Sequence, residues 1–103
     1  MHRTSGKPRV VVTGLGALTN LGNDVPSTWA AMREGRSGIA TIVGEEFNRY
    51  AGSWTCTIAG QVRNWDPGAN GAVDPREARR LDRVTVLGLG AAHEAVRSSG
   101  IDF

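Results

Sequence analysis

One cysteine and two histidines are all the thiol and imidazole that these 103 residues contain. A single thiol excludes an intramolecular disulfide, so nothing in the cysteine usage ties the chain to an oxidising compartment. His2 lies in a polar tail and His93 sits between Ala92 and Glu94. With Cys56 they do not make up the three or four spaced ligands of a metal site, so no metal ligand is assigned. Aromatics are scarce, at three Trp, one Tyr and two Phe. No apolar run approaches the roughly 20 residues that cross a bilayer. The apolar stretch after the basic Met1–Pro8 tail is too short for a signal-peptide core. These absences make a soluble, cytoplasmic protein with no membrane partner the expectation.

What is present is glycine, 14 residues of it, which points to loops and close backbone packing. A composition 40% hydrophobic and 21% charged belongs to an ordinary globular chain rather than a disordered one. The length fits one small domain with an adequate but limited core. Residues 76–83 carry four arginines against two acids, an excess of two that equals the formal net charge of the whole chain.

Val10–Gly22 reads Val-Val-Val-Thr-Gly-Leu-Gly-Ala-Leu-Thr-Asn-Leu-Gly. A β-branched run without polar alternation predicts a strand buried on both faces. The glycines after it raise the question of a phosphate loop, and the spacing answers against one. A dinucleotide fingerprint needs glycines at its first, third and sixth positions. Gly14 and Gly16 supply two, but the sixth position is Thr19. The short-chain dehydrogenase spacing fails at Leu18 and Asn20, and Leu18 would put bulk where backbone must approach phosphate. No cofactor-binding residue is therefore assigned.

Asp24 is a candidate N-cap and Pro26 is tolerated in the first turn of the helix that follows. Val25, Trp29 and Met32 recur at i, i+4, i+7 and predict its buried stripe, with Gly35 and Gly38 ending it. Residues 39–56 read as loops with one short strand, and Thr57, Ile58 and Val62 as a second strand before a turn at Asp66-Pro67-Gly68. Trp29 and Trp65 are read as core residues rather than a ligand-stacking set.

The second helix has the strongest start signal. Asp74 is its cap, Pro75 its first residue, and Glu77 completes a capping-box spacing. A break near Leu81-Asp82 is expected, with continuation to Ser99 and a stop at Gly100. Val84–Ala92 carries no charge on any face, so this helix must be covered on several sides, more than so short a chain can supply. Gly88 and Gly90 each cost about 0.8–1 kcal/mol against alanine there. Close helix packing accounts for them; relaxed selection on a truncated copy is the alternative.

Arg9–Leu18, the Thr-Trp…Gly-Arg-Ser-Gly of 28–38, the Ile58–Val62 strand and the Arg-Glu-Ala-Arg-Arg-Leu-Asp-Arg of 76–83 agree in order and spacing with one family. They resemble the N-terminal segment of the elongating β-ketoacyl-acyl-carrier-protein synthases, condensing enzymes of the thiolase superfamily. The resemblance covers almost the whole chain, with residues 1–8 as a polar tail and 9–103 as the N-terminal part of the synthase N-terminal domain. Asn20 stands where the family usually has proline, and the 66–73 connection is about two residues longer, a tolerable loop change.

That resemblance implies an α/β protein holding the N-terminal portion of a thiolase-type layered αβαβα fold, incomplete in this chain, whose full members pair as homodimers. The implied reaction extends a carrier-bound acyl chain by decarboxylative condensation with a malonyl thioester, in fatty-acid or polyketide synthesis. The family's cysteine nucleophile and two histidines come later than these residues, and Cys56 does not stand in the nucleophile's surroundings. No catalytic residue is assigned. Arg76, Arg79 and Arg80, at i, i+3, i+4, match the family's basic positions, and the resemblance implies that they dock acyl carrier protein. A solvated charged face is the plainer reading of the same three residues. Nucleic acid is not expected as a partner, since no aromatics interleave with the arginines. Two other readings stay open: a non-catalytic truncated fragment that keeps the docking helix, and a nucleotide-binding oxidoreductase fragment.

Overall fold

The computed structural model describes residues 6–50, 52–68 and 71–102. Its elements are α1 (Val25–Arg33), β1 (Ile39–Thr41), α2 (Glu45–Asn48), β2 (Ile58–Gly60), α3 (Pro75–Ala78) and α4 (Arg83–Ser99). β1 and β2 pair antiparallel, with Ile39 opposite Gly60, Ala40 opposite Ala59 and Thr41 opposite Ile58. Beyond the ladder, the Gln61 side chain continues the pairing. Its Nε2 donates to the Val43 carbonyl and its Oε1 accepts from the Val43 N–H, each at 3.0 Å.

The caps follow the sequence. Asp24 accepts from the Ser27 N–H at 2.8 Å and opens α1. Asp74 accepts from the Arg76 N–H at 2.8 Å and opens α3. Asp82 accepts from the Thr85 N–H at 3.1 Å and opens α4. The break expected near Leu81-Asp82 thus falls where a second capping aspartate restarts the helix. Gly100 closes α4 in the left-handed conformation at φ 70°, a conformation open to glycine at little cost. The reciprocal capping-box pair is not made among the described residues: Asp74 accepts from Arg76, one residue before Glu77.

The glycine segment rides along α4. The Leu15 N–H donates to Ser98 Oγ at 3.1 Å and the Ala17 N–H to Glu94 Oε1 at 2.9 Å. Glu94 and Ser98 are one turn apart and so share a face. A Cβ at Gly14 would fall on the Ala95 carbonyl, and one at Gly16 on the Ala91 carbonyl. These glycines are needed for backbone to meet backbone, and the space in front of them is filled by a helix. Thr19 forms the next joint: its hydroxyl accepts from the Leu21 and Gly22 N–H groups at 3.1 and 3.2 Å and lies 2.9 Å from the Thr28 hydroxyl.

Three expectations are corrected. Val10–Val12 forms no strand: the side chains are 90%, 68% and 79% exposed, because no strand among the described residues lies beside them. The Val25/Trp29/Met32 stripe does not face the core. Trp29 and Met32 are 57% and 55% exposed while Ala31, at 2%, is the buried residue of α1. The helix is therefore turned so that its small face packs inward. The reading of α4 as a helix that so short a chain cannot cover holds: it is covered on one side, with Val86 buried and Val84 74% exposed. The strand read over Thr57–Val62 is shorter than expected, ending at Gly60.

The core that results is thin. Ala31, Val73 and Val86 are the buried apolar residues among those described. The accessible surface is 8266 Å², where a folded monomer of this mass exposes about 5,600 Å². The radius of gyration is 18.0 Å, against about 13 Å for a closed domain of this length.

Candidate functional site

Pro75 has no N–H to leave unpaired and its fixed φ suits a first helical turn, so Asp74-Pro75 starts α3 sharply. The turn carries on past Ala78. The Arg80 N–H donates to the Glu77 carbonyl at 3.0 Å, and the Leu81 N–H donates to the same oxygen at 3.2 Å. Arg79 keeps right-handed helical angles, φ −72° and ψ −22°. Arg76, Arg79 and Arg80 are thus brought together on one short helical turn, and Arg83 follows as the first residue of α4.

All four arginines are exposed. None of their guanidinium groups has a hydrogen-bond or ion-pair partner among the described residues, where the one ion pair joins Arg36 to Glu34 at 2.7 Å. Glu77 is exposed and likewise makes no ion pair, so it does not neutralise its neighbours by contact. Arg83 also lies in the first turn of α4, where the helix dipole is positive and a cation is unfavourable. The site is a concentrated positive surface with its donors unspent. Guanidinium forks of this kind accept carboxylates or phosphates presented from outside.

Asp82, between Arg80 and Arg83, is held below the ordinary carboxylate value by hydrogen bonding from the Thr85 side chain and then its N–H. It stays charged and caps α4, so it is occupied by the helix. A cleft of about 850 Å³ opens beside the arginines, with Arg63 and Arg83 on its wall together with Gln61, Phe47 and Leu87. Arg63 is partly spent, donating to the Thr41 carbonyl at 3.1 Å.

Cys56 and His93 do not converge. Cys56 is an exposed thiol donating weakly to the Ile58 carbonyl at 3.4 Å, beside a recess walled by Phe47, Tyr50 and Trp54. The rings there pack on one another: Tyr50 stacks on Trp54 with centroids 5.7 Å apart, and Phe47 meets Trp54 edge-on at 6.0 Å. Sequence reasoning missed this cluster, since the three rings come from a segment with no periodicity. His93 stands on α4, and its Nε2 is shut from solvent without a partner among the described residues. Trp65 behaves as read, half-buried against α4, where a Cβ at Gly90 would strike its ring. Close packing thus explains Gly90; Gly88 has open space in front of it.

Residues 7–103 match the family described as Beta-ketoacyl synthase, N-terminal domain. The chain is 38% identical over 98 residues to 3-oxoacyl-[acyl-carrier-protein] synthase 2 of Staphylococcus aureus (strain COL), covering 95% of this chain and 22% of that protein. It is 39% identical over 93 residues to Nodulation protein E of Rhizobium sp. (strain N33). That match covers 90% of this chain and 21% of the relative. A second Nodulation protein E, from Rhizobium meliloti (strain 1021), is 40% identical over 93 residues. A partial α/β arrangement with an exposed arginine turn, matched over nearly its whole length, fits one class of protein. The chain belongs to the β-ketoacyl synthase family, as part of its N-terminal domain. It spans about a fifth of the length of these relatives.

No described helix is long and apolar enough to cross a membrane.

Proposed function

We infer that these residues are the carrier-facing N-terminal part of a 3-oxoacyl-[acyl-carrier-protein] synthase. The complete enzyme extends a carrier-bound acyl chain by decarboxylative condensation with malonyl-ACP, in fatty-acid synthesis or a related pathway. Its fold is the layered αβαβα arrangement of the thiolase type, paired as a homodimer, and it works in the cytoplasm. The thiolate that carries the acyl chain and the histidines that promote decarboxylation are not among these residues. What the chain contributes is framework and recognition.

The observation that carries this reading is the run of four exposed arginines between α3 and the start of α4, unpaired among the described residues. An exposed basic face with internal partners would be a solvated surface. One without them, held by two capping aspartates and placed at the dipole-positive end of α4, is arranged for an anionic partner. Acyl carrier protein, with its acidic recognition helix, is that partner, and Arg76, Arg79 and Arg80 are the docking residues.

The test replaces Arg76, Arg79 and Arg80 together with glutamate and measures affinity for acyl carrier protein by fluorescence anisotropy. Circular dichroism checks that helicity is kept. Binding should weaken by more than about 100-fold, since three charge-assisted contacts become repulsions. An unchanged affinity would overturn the docking assignment.

A further inference from the structure

The basic surface continues past the α3 turn. Arg83 is the first residue of α4, at the end where backbone N–H groups point outward and a cation is disfavoured. Its neighbour Asp82 is engaged in capping that helix through the Thr85 N–H. No carboxylate pairs with Arg83 among the described residues. A local rule broken with no gain inside the fold marks a residue that serves something outside it.

Arg63 reaches the same place from another part of the chain. It follows β2 by three residues and shares with Arg83 the wall of the 850 Å³ cleft. One N–H of its guanidinium donates to the Thr41 carbonyl, which fixes the group and leaves the rest of the fork free. Beside it Asn64 sits at φ 57°, the one non-glycine residue in the left-handed region among those described. Asn23 holds this turn by donating to the Asn64 carbonyl at 3.1 Å. The Gln61 amide is engaged at both ends by Val43. The wall is therefore stiff, and its free charged donors are those of Arg63 and Arg83.

One acid shares the cleft. Glu46 is exposed and makes no ion pair among the described residues, and its carboxylate lies back towards Gly44. Two guanidinium groups against one carboxylate leave the cleft with an excess of one positive charge.

We propose that Arg63 and Arg83 form a second anion subsite that grips one further carboxylate of the acidic recognition helix of acyl carrier protein, beyond those that meet Arg76, Arg79 and Arg80. This rests on the carrier-docking reading and extends it. The α3 turn supplies attraction, and the cleft fixes the position of the carrier helix along the surface. Glu46 admits a single carboxylate there, because a second would meet its negative charge.

The test measures the affinity of the chain for fluorescein-labelled acyl carrier protein and the thermal midpoint of the same samples. Arg83→Gln should bind about 3–10-fold more weakly, as the loss of one charge-assisted contact requires. Its midpoint should rise, since the cation leaves the positive end of α4. Arg63→Gln should weaken binding by a similar factor. The double variant should lose less than the product of the two, because both forks hold one carboxylate. Glu46→Gln should tighten binding by about 2–3-fold. Neutralising the acids of the carrier helix one at a time identifies the carboxylate: one replacement should cost affinity in the Arg76→Gln chain and nothing further in Arg83→Gln. Unchanged affinity in both Arg63→Gln and Arg83→Gln overturns the proposal. So does a fall in the midpoint of Arg83→Gln, which would make Arg83 a structural residue. The glutamate replacement of Arg76, Arg79 and Arg80 keeps the two readings apart. If it abolishes binding while the Arg63 and Arg83 variants bind as the unaltered chain does, the docking assignment stands and the second subsite alone falls.

Discussion

The Glu94 carboxylate is bound to the Val25 N–H across 69 residues of sequence, at 2.9 Å. Val25 is the first residue of α1, so this N–H is one of the donors that a helix start leaves unpaired. The other oxygen of Glu94 accepts from the Ala17 N–H, also at 2.9 Å. One side chain on α4 therefore fixes the glycine segment and the start of α1 together.

Replacing Glu94 with alanine should cost about 2–4 kcal/mol, because two backbone donors lose a charged acceptor at once. Glu94→Gln keeps one carbonyl oxygen and should recover about half of that loss. Urea unfolding followed by circular dichroism measures both. Equal stability of wild type and Glu94→Ala would show that the clamp contributes nothing.

The glycines divide into two groups that substitution separates. Gly16→Ala would place a methyl group on the Ala91 carbonyl, and both sides of that contact are backbone. It should destabilise by about 1–3 kcal/mol, as overpacking does. Gly88→Ala meets nothing within 4 Å and lies inside α4. It should stabilise the chain by about 0.8–1 kcal/mol through helix propensity alone. Thermal midpoints of the two variants should move in opposite directions.

This division also shows what the sequence could and could not convey. The caps at Asp24, Asp74 and Asp82 and the stop at Gly100 were legible or nearly so, because each is a local bargain between one side chain and neighbouring backbone groups. The break near Leu81-Asp82 was expected, but not that Asp82 would cap the helix that restarts there. The arginine turn was legible for the same reason, as three residues spaced on one short helix. The orientation of α1 was not. Periodicity locates an apolar stripe but not what lies opposite it, and no described residue covers Trp29, which stays exposed. Val10–Val12 failed likewise: its composition describes a strand in a complete sheet, and a strand needs neighbours to be one. The Phe47–Tyr50–Trp54 cluster follows from a loop path that no spacing rule encodes.

Acid should loosen α1 and α4 at their first turns. Ser27, through its hydroxyl and then its N–H, holds the Asp24 carboxyl below its ordinary value, and Thr85 acts on Asp82 in the same way. A carboxylate whose folded value is depressed contributes stability that is complete above its unfolded value, near 3.8 here, and lost as pH falls through the folded value. Helix-end protection should therefore be flat above about pH 5 and decline steadily below the ordinary carboxylate range. NMR titration of the Ser27 and Thr85 amides reads it directly. In Asp24→Asn the Ser27 amide should lose its acid transition while that of Thr85 remains; a transition persisting at Ser27 would assign it to another group.

Ala31 and Trp29 test the orientation of α1 against each other. Periodicity places Trp29 inward, whereas the structure leaves it 57% exposed and buries Ala31 to 2%. If the small face packs inward, Ala31→Leu forces three extra carbons into a filled site and should cost about 1–3 kcal/mol. Trp29→Ser in the isolated chain should then fall within about 0.5 kcal/mol of wild type, as surface changes do. The reverse ranking would mean that α1 presents its aromatic stripe to the core after all. Trp29 quenching by acrylamide adds a readout independent of stability. A Trp54→Phe, Trp65→Phe background isolates its signal, and quenching near that of a free indole is expected there.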